Sequence, residues 1–151
     1  MSEPLLIRAR PAPWAVNALL DAVSLPASDL TEAHLEHFFF AGSDGSPTGL
    51  VGLELYGSDA LLRSLVVVQF ARNRGLGSSL VRHAESYARS RGVRAVYVLT
   101  TTAEPFFRQL GYERIDRSRA PASIKQTPEF ACLCPASSAF MVKPLTSLGA
   151  L

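Results

Sequence analysis

The stretch that decides the fold is LLRSLVVVQFARNRGLGSSLVRHAESYARSR, residues 61–91. Its first part is apolar and β-branched at Val66–Val68, which predicts a buried strand. Its last part predicts an amphipathic helix, because apolar residues recur every four positions on one face. Those residues are Leu76, Leu80, Ala84 and Ala88. Gly92 follows directly and is typical of a helix C-cap.

A basic, glycine-bearing turn, residues 72–77, joins this strand to this helix. The first amides of a helix lack intrahelical partners, and the helix dipole favours negative charge at the same end. Gly75 and Gly77 let the backbone approach phosphate oxygens closely, and Arg72 and Arg74 add positive charge. The turn therefore predicts an anion site. A glycine-rich turn with solvated arginines and no ligand is the alternative.

Two well-known phosphate motifs are excluded at this turn. No Lys-Ser/Thr pair follows Gly77, so the Walker loop is absent. The dinucleotide fingerprint fails because Leu80 stands where a third small residue is needed and no acidic residue lies near Ala95. What remains is Arg-x-x-Gly-x-Gly after a strand. This pattern resembles the pyrophosphate loop of the GCN5-related N-acetyltransferases, which implies acetyl-CoA as cosubstrate.

A second segment and the order of elements agree with that resemblance. Residues 103–112, AEPFFRQLGY, are similar to the family's segment in which an aromatic residue precedes x-x-x-Gly-Phe/Tyr. Patterning and turn residues predict strands at residues 5–9, 37–41, 50–56, 60–68, 94–101, 112–116 and 139–143. A first helix is predicted with Pro13 in its first turn and its end before Pro26, and a short second helix begins at Thr31. Further helices are predicted at residues 76–91, 104–110 and 120–126. We expect an α/β fold, a single-domain mixed β-sheet flanked by helices.

Length and composition set the broad class. The chain has 151 residues, so we expect a single domain over residues 1–151, with an ordered core over about residues 4–145. The resemblance implies that this is an N-acetyltransferase domain. A net charge of +2 favours neither a nucleic-acid nor a membrane partner. We read no secretory signal and no spanning segment, and expect a cytoplasmic protein. Cys132 and Cys134 are too close for an easy disulfide, and no metal site is predicted.

Four segments narrow the resemblance to the arsenic-resistance N-acetyltransferases. They are residues 52–57, 62–67, 99–103 and 129–139. The resemblance implies transfer of acetyl from acetyl-CoA to the amine of a small amino-acid-like acceptor, including arsenic- or phosphinate-containing amino acids. It implies a small-molecule partner and a monomer or homodimer. A non-catalytic acyl-CoA sensor is the alternative function.

The resemblance also implies roles along the chain. The backbone of Leu65, Val66 and Val67 would pair with the pantetheine arm, and the Val67 amide would hold the developing oxyanion. The remaining cofactor-binding residues fall in the turn and beside the second segment. They are Arg72, Asn73, Arg74, Gly75, Leu76, Gly77, Ser78, Thr102, Phe106 and Phe107.

Glu54 is the candidate general base, because an ammonium acceptor must lose a proton before it attacks. It is the one acidic residue in the apolar stretch 50–56, where an unpaired carboxylate would be costly. A solvent-facing residue, or a partner for Arg63 on the next strand, is the alternative. Both Glu54 and Arg63 are candidate acceptor-binding residues.

The chain departs from the family's pattern at the residue that would protonate the departing thiolate. Many family members place a tyrosine where this chain has Phe107. The thiolate of coenzyme A leaves readily, so an acid is less essential. Thr102, Cys134 or a water molecule could serve instead.

Overall fold

A computed structural model describes residues 7–25, 27–43, 45–133 and 137–145, with the side chains of residues 132 and 133 left out. Leu5 and Leu6 of the first predicted strand, and Cys134, lie outside the described residues. Seven strands form one mixed sheet in the order β1-β2-β3-β4-β5-β7-β6. They are β1 Ile7–Ala9, β2 Phe38–Gly42, β3 Pro47–Tyr56, β4 Asp59–Val67, β5 Ala95–Thr100, β6 Glu113–Arg114 and β7 Ala139–Pro144.

Five α-helices accompany the sheet among the described residues. They are α1 Pro13–Ala22, α2 Glu32–Leu35, α3 Leu76–Ser90, α4 Glu104–Gln109 and α5 Ala122–Lys125. The predicted α/β class, a mixed sheet flanked by helices, is confirmed. No described helix combines the length and the apolar composition needed to cross a membrane.

The described chain divides into two compact units. The first unit comprises residues 1–53 and 64–84. It contains the antiparallel strand pairs β1–β2 and β2–β3, with Phe38 opposite Gly52. Its apolar side chains come from α1, α2 and the strands, and form one cluster of buried residues: Val16, Leu20, Leu35, Phe38, Phe40, Leu50 and Val66.

The second unit comprises residues 54–63 and 85–151. Here β4 pairs in parallel with β5 from Asp59↔Ala95 to Leu62↔Val98. Strand β7 pairs antiparallel with β5 on one side and with β6 on the other. The buried cluster of this unit consists of Leu61, Leu99, Ala120, Ile124 and Phe140.

Helix α3 follows the predicted apolar stripe. Leu80, Val81, Ala84 and Ala88 have no exposed surface. Gly49 on β3 explains how closely its first turns pack, because a Cβ atom there would lie 2.8 Å from a Leu80 methyl carbon. Gly92 has φ +85° and ends the helix in the left-handed conformation, as the sequence predicts.

Several local features differ from the sequence-based expectations. Residues 69–71 and 117–119 form 3-10 turns, and Glu129–Leu133 forms a π-helical turn. Strand β6 has two residues where five were predicted. Ser64, inside β4, has φ +59°, a conformation that a strand residue adopts at a bulge.

One expectation about packing is wrong. Side chains alternate along a strand, so the sequence puts Gly52 on the same face as Glu54 and predicts open space beside that carboxylate. A Cβ atom at Gly52 would lie 2.3 Å from the Phe38 ring, so that ring already fills the space. The glycine is needed because the aromatic side chain of the neighbouring strand lies flat over it.

Candidate functional site

The predicted anion turn has an open, left-handed backbone. The turn Gln69–Ala71 leads from β4 to residues 72–75, all exposed. Asn73 and Gly75 have φ +66° and +78°. No atom lies within 4 Å of a Cβ built on Gly75, so the space beside this glycine is open.

Helix α3 begins directly after Gly75. Its first helical hydrogen bond runs from the Ser79 amide to the Gly75 carbonyl at 3.0 Å. The amides of Leu76, Gly77 and Ser78 therefore belong to the first turn, whose N–H groups have no intrahelical acceptor. A 15-residue helix also gives this end a partial positive charge. The turn can accept a phosphate group through backbone amides.

Arg72 attaches the turn to the end of β4. Its Nε donates a hydrogen bond to the Val67 carbonyl at 2.9 Å. Arg74 is exposed, two residues further on. Positive charge thus stands on both sides of Asn73, which suits an anion with more than one phosphate.

The second half of β4 presents backbone amides in alternating directions. The Val68 amide donates to the Thr48 carbonyl of β3 at 2.9 Å. Successive amides of an extended chain point to opposite edges, so the Val67 amide points away from β3. The β4–β5 pairs end at Leu62, five residues before β4 ends. Leu65 and Val67 are half-buried and Val66 is buried, and their contacts with a pantetheine arm stay predictions.

A buried ionic cluster lies in the second unit. Arg63 has a fully buried side chain and donates from Nη1 to Glu54 Oε2 at 2.8 Å. Its Nη2 lies 3.3 Å from Oε1 of Glu129, which belongs to the π-helical turn. The hydroxyl of Tyr56, two residues along β3, donates to Glu54 Oε1. A buried arginine is costly unless paired, and two carboxylates pair this one.

This cluster gives Glu54 and Arg63 a structural role. The pairing of Glu54 with Arg63, which the sequence offered as the alternative, is present at 2.8 Å. Arg63 acts as an internal counter-ion for carboxylates from β3 and from the turn at Glu129. Their predicted roles, Glu54 as base and both as acceptor ligands, stay predictions.

The aromatic residues of α4 form an edge-to-face series. Phe107 is 3% exposed, and its ring centroid lies 5.1 Å from that of Phe106 and 5.3 Å from that of Tyr112. Phe107 is therefore a core residue, whereas Phe106 is half-buried and Thr102 is exposed. Their contacts with a cofactor stay predictions.

Sequence reasoning missed a second buried polar group. The Tyr112 hydroxyl donates to Glu85 Oε2 at 2.8 Å, and Lys143 Nζ donates to Glu85 Oε1 at 2.9 Å. Burial, followed by the charge of Glu85 and the hydrogen bond to it, raises the pKa of Tyr112. An acidic residue beside the apolar stripe of α3 was the available signal for Glu85. For Glu129 there was none, because it meets Arg63 only through the tertiary fold.

The fold and the turn together define an α/β protein in which a basic, glycine-bearing turn joins a strand end to the N-terminus of a 15-residue helix. The profile of the acetyltransferase (GNAT) family matches residues 5–112. The chain belongs to this family.

Similar proteins agree with the family. An uncharacterised N-acetyltransferase of Chlorobaculum tepidum is 36% identical over 92 residues, which cover 60% of this chain and 59% of that protein. The amino-acid acetyltransferase of Pseudomonas fluorescens is 31% identical over 97 residues, covering 63% of this chain and 22% of that protein. The chain thus matches less than two thirds of the length of either relative.

Solved structures share the fold at low sequence identity. N-acetylglutamate synthase of Neisseria gonorrhoeae, complexed with coenzyme A and N-acetyl-glutamate, has a TM-score of 0.80 at 20% identity. That match covers 97% of this chain and 36% of the synthase. A GNAT-family acetyltransferase of Staphylococcus aureus has a TM-score of 0.76 at 16% identity, covering 95% of this chain and all of that one.

Proposed function

We propose that the chain is an acetyl-CoA-dependent N-acetyltransferase whose acceptor is the amine of a small amino acid. The observation that carries the proposal is the turn at residues 72–77. Its left-handed, open backbone at Gly75 leads into a 15-residue helix and is flanked by two arginines. The pyrophosphate of acetyl-CoA is an anion that such a turn would hold through backbone amides.

The cosubstrate is supported by the second half of β4 and by the turn that follows it. The turn would hold the pyrophosphate, and Leu65–Val67 would hold the pantetheine arm through their backbone. The Val67 amide, which points away from β3, would donate to the oxygen of the thioester as its negative charge develops. The Neisseria synthase was solved with coenzyme A, which fits this assignment.

The acceptor class is supported by the relatives. The similar protein of Pseudomonas fluorescens is an amino-acid acetyltransferase, and the similar protein of Neisseria gonorrhoeae is an N-acetylglutamate synthase. The resemblance to arsenic-resistance N-acetyltransferases adds amino acids with arsenic or phosphinate side groups to the class. We propose Glu54 as the group that takes the proton of the acceptor ammonium, directly or through one water.

A sensor that binds acyl-CoA without turnover is the second candidate. It is favoured by Phe107, because this side chain is buried among aromatic rings and has no hydroxyl to protonate a thiolate. An enzyme can release coenzyme A without such an acid, since the thiol is a good leaving group.

A thiol-release assay separates the two candidates. The wild-type protein is incubated with acetyl-CoA and a panel of glutamate, glycine, phosphinothricin and arsenic-containing amino acids. We expect amine-dependent release of coenzyme A and an N-acetyl product by mass spectrometry. Binding of acetyl-CoA by calorimetry, with no product from any amine, would establish the sensor instead.

A further inference from the structure

Phe70 is the most exposed large apolar side chain in the described part of the protein. Its side chain is 76% exposed, more than Trp14 at 62% or Val23 at 39%. Burial of an aromatic side chain stabilises a protein, and the exposed Phe70 forgoes that gain. A ligand that covers Phe70 would recover it.

The position of Phe70 in the first unit indicates the ligand. It is the middle residue of the 3-10 turn Gln69–Ala71, which has Arg72 as its C-cap. Two peptide units separate Phe70 from Arg72, so their Cα atoms are at most about 7.6 Å apart. Phe70 therefore lies in the short segment between the end of β4 and the turn at residues 72–77.

The chemistry of acetyl-CoA fits this position. Beyond the pyrophosphate, the molecule continues into a ribose 3′-phosphate and an adenine base. The base offers a flat π-face, and stacking on an aromatic side chain is a general mode of base recognition. The exposed Arg74 and the Arg72 guanidinium supply the positive charge that the 3′-phosphate needs.

We propose that Phe70 is the platform on which the adenine ring of acetyl-CoA stacks, and that it thereby selects adenosine-bearing thioesters over shorter pantetheine thioesters. This inference rests on the proposed function. It adds a specificity-determining residue outside the loop and strand that hold the pyrophosphate and the arm.

The test compares Phe70→Ala with wild type by calorimetry on three probes. These are acetyl-CoA, adenosine 3′,5′-bisphosphate and the acetyl thioester of 4′-phosphopantetheine, which lacks the nucleoside. We expect Phe70→Ala to weaken the first two by about tenfold, equivalent to about 1.4 kcal/mol, and to leave the third unchanged. Phe70→Tyr, which keeps the ring, should restore affinity, and Phe70→Leu, which keeps only apolar area, should not.

Trp14→Ala is the matched control, because it removes another exposed aromatic side chain of the same unit. It should leave all three affinities unchanged. Equal losses on acetyl-CoA and on the phosphopantetheine thioester would overturn the inference, since Phe70 would then only shape the turn. Unchanged acetyl-CoA affinity in Phe70→Ala would also overturn it, with the proposed function intact. A wild-type protein that does not bind acetyl-CoA would overturn both.

Discussion

Single residues set the local geometry of the proposed cosubstrate site. Gly75 shows this best, because its φ of +78° strains any residue with a side chain while no neighbouring atom would clash with one. A substitution there therefore acts through the backbone of the turn and through the space that a phosphate would use.

Gly75→Val is expected to weaken acetyl-CoA binding by about tenfold or more, because the turn leaves its left-handed conformation and the added side chain blocks the amides. Calorimetry measures the affinity. Gly92→Val is the matched control, since Gly92 has φ +85° and equally open surroundings at the other end of α3. It should lose comparable stability and keep its affinity. Equal affinities in the two variants would contradict the assignment of the turn.

Glu54→Gln is expected to lower turnover by about 10²-fold or more, the usual contribution of a general base. The loss should shrink as pH rises, because more of the acceptor amine is then neutral. The effect is measured as the steady-state rate with an amine that the wild-type protein acetylates in the thiol-release assay.

Glu129→Gln separates catalysis from structure in that experiment. It also removes one carboxylate from the buried Arg63, so it should destabilise the fold as Glu54→Gln does. It should keep its turnover, because Glu129 has no proposed role in proton transfer. If both variants lose the same fraction of turnover, Glu54 acts only as a partner of Arg63.

At the scale of one element, strand β4 changes its pairing part-way along its length. Its first residues pair with β5, and the pairs end at Leu62. Ser64 then takes φ +59°, and the remaining residues run on to Val67. The left-handed residue thus follows closely on the point where β4 stops pairing with β5, and the backbone beyond it is the part that the proposed function assigns to the pantetheine arm.

Substitution of Ser64 should show that this conformation is required. Ser64→Gly should keep the free energy of unfolding within about 1 kcal/mol of wild type, because glycine adopts positive φ readily. Ser64→Val should lower it by about 2 kcal/mol or more, because a β-branched residue is strained there. Denaturant unfolding measures both. Ser24→Gly and Ser24→Val are the control variants, because Ser24 has φ +57° but is exposed. They measure the effect of backbone strain at a position that is not buried. Equal stability of the two Ser64 variants would refute the requirement.

At the scale of the whole molecule, stability should fall as the solution becomes acidic. Burial lowers the pKa of His83 below 6.5, in a side chain whose ring packs edge-on against Phe39. The unfolded chain then binds the proton of His83 more readily than the folded chain does. His83 therefore contributes to the free energy of unfolding above about pH 6.5, and this contribution is lost as the pH falls below that value. Hydrogen bonds from Ser118 lower the pKa of Asp116, and that contribution is lost only below about 3.8.

Thermal unfolding between pH 8 and pH 5 checks this expectation. The melting temperature should fall across the interval in the wild type, and His83→Gln should reduce the fall. An identical fall in the variant would assign the acid sensitivity to other groups.

How well a feature could be predicted from the sequence depends on how far apart in the chain the interacting residues are. Helix α3 and the turn before it were predicted nearly to the residue, because stripe, turn and cap are all local. The partners of Arg63 were half predicted, since Glu54 is on the neighbouring strand but Glu129 is 66 positions away in the chain. The filled space over Gly52 was not predicted, because it depends on the register that places Phe38 opposite.

The early end of the β4–β5 pairing has a consequence for the aggregation of the protein and for its stability. Residues Leu65–Val67 of β4 lie beyond the end of its pairing with β5, and an open strand edge is the kind of surface on which extended chains add and aggregates begin. A bound pantetheine arm would cover that edge and stabilise the folded state by mass action. The stability of the folded protein would then rise with the concentration of acetyl-CoA.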